Sequence, residues 1–333
     1  MNWDKGFTAT YYAAEVDKRT WHDIRRFEIT GGKVSRTDNG LRNSADLECI
    51  NYDGSRETWV RVWMDTRQEG DSAHEALFTG LACAPDRDIN GTLISNTVKC
   101  YSVLQPCEDV LLPRGWYAPA GTSAETILRD LLSTTPAPMV TEGNTPALAE
   151  SIVAEEGENH LTMAEKILAA IGWRMQLQGD GTILIRPVAN DPVVLFDPVK
   201  NDCIETKVSD SYDWYTAPNV FRAVTDTKTV TFRDESEGPL SIPTRGREIW
   251  AEETSCKLND GESLESYAER RLREKQQVSR VVGYTRRYTP GIYPSDIVEL
   301  RYPQLDVMGS FYIKTQTISV KAGAPVSEEV TGI

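Results

Sequence analysis

Apolar positions in residues 1–111 recur at alternate positions in short runs, and each run is cut by glycine, asparagine or aspartate. This period of two predicts strands over residues 24–29, 45–52, 58–64, 76–83 and 92–104. The turns between them are TGGK (30–33), DNG (38–40), YDGS (52–55) and DINGT (88–92). In the third strand Val60, Val62 and Met64 share one face, while Trp59 and Trp63 share the other. Both faces therefore need cover, barrel interior on one side and a neighbour on the other.

The pattern changes at LLPRGWYAPAGT (111–122), where two prolines and two glycines mark a linker. A period near 3.6 follows. Thr122 and Glu125 fit a capping box, and Ile127, Leu128, Leu131 and Leu132 form one apolar helical face. Residues 133–158 are acidic and weakly periodic, which predicts an irregular exposed stretch. Thr162 and Glu165 fit a second capping box, Ile167, Leu168 and Ile171 face inward, and Gly172 is placed to end that helix. Trp173, Met175 and Leu177 then alternate, residues 179–181 turn, and Ile183 and Ile185 return as a hairpin.

The last quarter begins with a charged helix over 263–279 and a strand over 280–288. Pro290, Gly291 and Pro294 punctuate a loop, and Asp296 begins a strand with Ile297, Val298 and Leu300 partly buried. After turn signals in 302–309, Phe311, Ile313 and the β-branched run 315–320 form another strand. These are antiparallel barrel or sandwich elements with one helix ahead of the final strands. No repeat of 20 to 50 residues is visible.

The order helix, strand, P-G-x-x-P-x-D-x-V-x-L (290–300), G-x-F-x-I (309–313), terminal strand resembles the C-terminal barrel of phage tail baseplate hub proteins, the group that includes late-control-D-like hubs of contractile tails. The helix L-T-x-A-E-K-I-L (161–168) leading into Gly172-Trp173 and the hairpin D-G-T-I-x-I-x-P (180–187) are similar to the small α/β module of Gram-positive-type hubs. YTAPNVFRAV (215–224) looks like the opening of the second barrel. The resemblance implies an α+β, mainly β fold: two antiparallel β-barrel (tube-like) domains separated by a small α/β helix-hairpin module. Its boundaries would be 1–111 for the first barrel, 112–205 for the α/β module with its acidic stretch, and 206–333 for the second barrel with helix 263–279 inserted.

Charge excludes one class of partner. The formal net charge is −14, with 13 basic against 18 acidic residues in 1–111, 6 against 13 in 112–205 and 17 against 19 in 206–333. No segment has the lysine and arginine surplus that gripping phosphates requires. Arg270, Arg271, Arg273 and Lys275 alternate with Glu269 and Glu274, as on a solvated, salt-bridged helix face. The N-terminus has no apolar leader core and no stretch approaches a membrane span, so a chain made in a bacterial cytoplasm and independent of membranes is expected.

Candidate chemistry is sparse. Cys49, Cys83, Cys100, Cys107, Cys203 and Cys256 form no C-x-x-C pair, which reads as free thiols in a reducing compartment. The three histidines, His22, His74 and His160, lie in polar or loop settings, and no zinc-protease, nucleophile-elbow, P-loop or dinucleotide motif is present. Glycoside hydrolysis needs two opposed carboxyl groups, one with a raised pKa. Glu155, Glu156, Glu158 and Glu48 are the available choices, and 50 acidic residues make such choices easy to find. No catalytic residue, cofactor or metal is assigned. Aromatics are enriched at interface cores, which singles out Trp59 and Trp63 and the cluster Tyr212, Trp214 and Tyr215 as interface candidates.

The resemblance implies a structural role at the virion tail: a homotrimeric, pseudo-sixfold hub ring. Its partners would be the tail tube or distal tail protein, a spike or tail-tip protein and other baseplate proteins, with DNA only as passing cargo. Two other classes compete, a distal tail or tube-like ring protein, and a cell-wall carbohydrate-binding module or peptidoglycan hydrolase.

Overall fold

A computed structural model describes residues 1–333 except 39–42, 51, 53, 84–85, 91–92, 190, 213, 226–227, 255, 257–262, 277–279 and 333. The expected turns at 38–40, 52–55 and 88–92 and the end of the 263–279 helix fall partly outside the described residues. The chain opens with β1 (Thr8–Val16), β2 (Asp23–Thr37), β3 (Ser44–Ile50), β4 (Thr58–Gln68), β5 (Asp71–Ala82), β6 (Asp86–Asn90) and β7 (Leu93–Ser102). It continues with α1 (Gln105–Asp109), β8 (Tyr117–Ala118), α2 (Ala124–Leu131), β9 (Met139–Thr141), β10 (Ile152–Val153), α3 (His160–Ala170), β11 (Trp173–Leu177) and β12 (Ile183–Pro187). The remainder comprises β13 (Pro192–Phe196), β14 (Ile204–Tyr212), β15 (Val220–Val224), β16 (Thr229–Arg233), α4 (Ile242–Arg245) and β17 (Trp250–Thr254), then α5 (Leu264–Gln276), β18 (Arg280–Arg287), β19 (Ile297–Tyr302), β20 (Val307–Ser319) and β21 (Pro325–Gly332). The molecule is mainly β.

Alternation drives the N-terminal strands into a ring. β1 pairs with both β2 and β4, and the path β4, β5, β7, β3, β2 returns to β1 with antiparallel register throughout. Ala13, Val34, Leu47, Val60, Val62, Met64, Leu77 and Val98 are fully buried in one core. Burying each of the larger ones contributes about 1.5–3 kcal/mol. Register shifts at Glu15/Val16, Ile29/Gly31 and Val62/Trp63 leave the ring irregular.

The C-terminal strands extend this sheet. β20 is 13 residues long; its first half pairs with β19, and its second half pairs with β2 from Thr37↔Thr315 to Lys33↔Ser319. β21, β18 and β14 follow β20 in order, and β13 lies parallel to β19. The result is one continuous 13-stranded sheet.

The chain forms two compact units. The larger holds residues 1–208 and 283–331, the smaller 209–282. The chain leaves the larger unit within β14 and returns within β18. In the smaller unit β15 is central, antiparallel to β16 and parallel to β17. α5 covers this sheet, packing Leu264, Tyr267, Ala268 and Leu272 with Phe221 and Ala223. Residues 220–224 therefore lie in a mixed three-stranded sheet. The helix expected over 263–279 is α5, and it completes that same small core.

The α/β module lies within the larger unit. α2, α3 and the β11–β12 hairpin bury Leu128, Leu131, Met163, Ile167, Ile183 and Ile185 together. Both expected capping boxes are corrected. Ser123 holds the N-cap position of α2 without a side-chain cap bond, while Glu125 turns to Arg129 one helical turn on, at 2.7 Å. α3 starts three residues earlier than the capping box implied because Asn159 Oδ1 accepts the Thr162 amide hydrogen bond at 2.8 Å, and asparagine is a better cap than threonine. Gly172 ends the helix at φ +68°, as its position predicted. The stretch 133–158 is less irregular than its composition suggests. β9 lies parallel to β12, β10 pairs with β8, and Ala137 and Leu148 are buried.

Candidate interaction surfaces

The motif P-G-x-x-P-x-D of the last quarter serves as a latch. Ser295 adopts φ +74°, and the following Asp296 is buried. Asp296 Oδ1 accepts from Arg174 at 2.9 Å and from Gln176 Nε2 at 3.1 Å, both on β11, while Oδ2 accepts the Tyr293 amide at 2.9 Å. A second fastening joins the hairpin turn to the ring. Arg61 donates to Thr79 Oγ1 (3.1 Å), Asp23 (2.8 Å) and the Asp180 carbonyl (3.0 Å), and Thr79 Oγ1 donates to the Gly179 carbonyl (2.9 Å). The approach is so close that a Cβ on Gly179 would lie 1.7 Å from the Ala76 carbonyl oxygen.

Where β2, β20, β21 and β18 run side by side, a buried polar network fills the sheet. Arg286 clasps Glu328 bidentately at 3.0 and 2.7 Å, Gln316 Nε2 donates to Glu328 at 2.7 Å, and Arg36 donates to Gln316 Oε1 at 2.9 Å. Burial alone would favour neutral arginine, but the Glu328 carboxylate outweighs it and raises the Arg286 pKa. Every member of this set holds strands in register, and none is exposed.

The five sequence-selected aromatics divide sharply. Trp59 is 8% exposed, lies in the core of the α/β module and packs against Trp21 at 5.6 Å. Its own chain supplies the neighbour that its strand face required, so it has no surface to offer a partner. Trp63 is half-buried in a surface stack. Its ring lies 4.1 Å from His74 at 13°, Tyr12 extends the stack, and its Nε1 donates to Asp23 at 2.6 Å. His74 Nδ1 sits 2.5 Å from Asp65 Oδ1, and the Arg26 guanidinium caps the Tyr12 ring at 3.2 Å. Tyr212, Trp214 and Tyr215 are 47%, 47% and 74% exposed on the smaller unit. Trp250, not selected from the sequence, is also exposed; its ring lies between Arg222 and Arg233, each at 5.4 Å.

The carboxylates weighed for hydrolysis lack the needed setting. Burial pushes Glu158 up, but Lys166 at 2.7 Å and the Glu155 amide outweigh it and hold its pKa below the ordinary value, the wrong direction for a proton donor. Glu48 is exposed. His160 sits in the first turn of α3 with Nδ1 3.0 Å from the Leu131 carbonyl oxygen. The six cysteines are free thiols, and burial pushes Cys49 up to about 12. Among the described residues no three metal-ligating side chains cluster.

Comparison with known proteins places this geometry. No family model matches the chain, and no curated protein matches it. Solved structures do. A tail protein from Neisseria meningitidis MC58 superposes with a TM-score of 0.65 at 12% identity, covering 98% of this chain and 97% of that one. The 43 kDa tail protein of prophage MuSo2 from Shewanella oneidensis gives 0.65 at 11% identity over 97% and 98%. The chain shares its fold with phage tail proteins. A third, prophage tail protein gp18 from Listeria monocytogenes EGD-e, gives 0.50 at 12% identity over 97% and 94%. The shared fold runs from end to end of each partner, so the sheet, the α/β module and the smaller unit all have counterparts. At such identities no functional side chain is carried across.

Proposed function

We propose that this chain is a structural subunit of a phage tail or a related contractile injection machine, sited at the baseplate or tail tip as its hub. The observation that carries the proposal is the end-to-end likeness to phage tail proteins. In this reading the kinship is with late-control-D-like and Gram-positive-type hubs. Residues 1–111 and 206–333 supply two tube-like β domains, and 112–205 the module between them. Three copies with two such domains each make a pseudo-sixfold ring, which joins a sixfold tube or distal tail protein to a threefold spike. The same ring is the conduit for DNA. A net charge of −14 keeps passing DNA from adhering to its wall.

The role is one of shape and contact, with no catalytic residue, cofactor or metal. Its place is the tail of the virion after synthesis in the host cytoplasm, among other baseplate proteins. Antibody against the chain should decorate one end of purified tails in electron micrographs. Decoration along the tube, or of no tail part, contradicts the proposal. Purified protein should also leave the turbidity of a cell-wall suspension unchanged, and clearing of the suspension would favour the hydrolase.

A further inference from the structure

We propose that the outer edge of β14, over residues 204–208, is a docking site for an extended segment of another protein, which adds as a strand and seats one apolar side chain in the cavity beside it. The inference rests on the sheet alone and does not depend on the hub reading.

β14 ends the path of the 13-stranded sheet, and among the described residues its only strand partner is β18. One side of its backbone therefore has no strand to take up its N–H and C=O groups. An edge of this kind selects its own occupant, because an extended chain is what presents donors and acceptors at the matching spacing. The other edge strand, β13, is blunted: it opens with Pro192, and its pairing with β19 slips between Pro192 and Val194. In β14 no proline intervenes, and Glu205, Thr206 and Lys207 are exposed.

The second observation is a cavity of about 210 Å³ lined by Pro198, Val199, Thr206, Val208, Tyr302 and Leu305. Alternation puts Thr206 and Val208 on one face of β14 with buried Ile204, and Glu205 and Lys207 on the other. The cavity opens on the Ile204 face. Its wall is fixed to the strand, because the Tyr302 hydroxyl donates to the Glu205 carbonyl at 2.8 Å. On its rim Val199 and Leu305 are 79% and 50% exposed, which leaves apolar surface in water.

Edge and cavity fit the same occupant. Side chains directly opposite one another on paired strands lie about 5 Å apart. A strand laid along β14 brings every second side chain onto the Thr206 and Val208 face, and so one of them to the mouth of the cavity. The volume is below the roughly 300–1,000 Å³ of small-molecule sites and suits a single side chain of leucine size. Charge adds no selection, since Glu205 and Lys207 offset each other on the far face. The occupant is therefore an extended, near-neutral segment with apolar residues at alternate positions.

Fluorescence anisotropy on the full chain tests this with a labelled heptapeptide, Thr-Val-Thr-Leu-Thr-Val-Thr, carrying a lysine at each end. Saturable binding is expected, with amide-exchange protection gained at 204–208. The same peptide with every amide N-methylated cannot pair as a strand and should bind more weakly by about tenfold or more. Lysine in place of its leucine, and Leu305→Ser in the protein, should each weaken binding by about tenfold. Leu305→Ser should leave the melting temperature unchanged, because half of that side chain is already in water. Absence of binding overturns the inference, as does binding that ignores N-methylation or Leu305→Ser, or protection gained elsewhere in the sheet. Protection at 204–208 that rises with protein concentration and needs no peptide makes a second copy the occupant and overturns it too.

Discussion

Asp296 is a buried carboxylate whose work is architectural. Its carboxylate is fully committed to Arg174, Gln176 and the Tyr293 amide, so a substrate would find it occupied. Removing it leaves Arg174, itself largely buried, without its counter-charge. Asp296→Ala should therefore cost about 3–5 kcal/mol, read as a lower urea midpoint. Gly179 presents the opposite limit, a position with no room at all. Gly179→Ala forces a methyl into the Ala76 carbonyl and should cost about 1–3 kcal/mol or more, whereas Gly143→Ala, with open space around it, should cost only the strain of its positive φ. Equal losses at both glycines would contradict the packing of the hairpin turn on the ring. Single replacement of Arg286 or Glu328 should cost as much as loss of Asp296, and joint replacement by apolar residues of similar volume should recover most of it.

At the scale of elements, much was legible because period and burial agree. Strands β3, β4, β5 and β7 of the ring, the β11–β12 hairpin, Gly172 and the Ile297–Leu300 strand follow from alternation or turn chemistry, whereas β2 runs on through the turn expected at 30–33. β1 went unread because its alanines and tyrosines alternate weakly, and its two-sided pairing is a tertiary fact. β9 and β10 are only three and two residues long, too short for any period to show. Asn159 was legible in principle, as an asparagine just before an apolar helical run, and Thr162 competed for the role. Among the interface candidates, composition could not tell buried Trp59 from half-buried Trp63. A bulge between Val62 and Trp63 and the cover given by the α/β module separate them. The partners of β15 were not legible, because it reads like any half-buried strand and pairing, not pattern, decides which sheet it joins.

Acid should find the smaller unit first. The Tyr267 hydroxyl and Arg271 hold the Glu253 carboxyl below its ordinary 4.5, and Arg280 holds Asp210 below 3.8. A depressed folded pKa contributes stability above the unfolded value, and that contribution is lost as pH falls through the folded value. Amide-exchange protection in 209–282 should thus weaken as pH drops below about 4, modestly, because the Glu253 and Asp210 side chains keep 29% and 22% of their surface in water, where solvent screens the pairs. Protection that is unchanged or rises over that interval would contradict the pairing.

For the whole molecule, the decisive feature is that an early strand, β2, meets a late one, β20. The β2–β20 register ties residues 33–37 to 315–319, so the sheet cannot form until nearly the entire chain is present. Neither composition nor local period carries that fact, because it depends on a long strand serving two partners. The structure that results shares its fold with phage tail proteins over almost their full length. The most direct test of the hub reading is the native mass of the purified chain, alone and mixed with its spike partner. A species of three chain masses, formed alone or on addition of the spike, is expected; a strict monomer that never joins a ring or a tail particle contradicts the account.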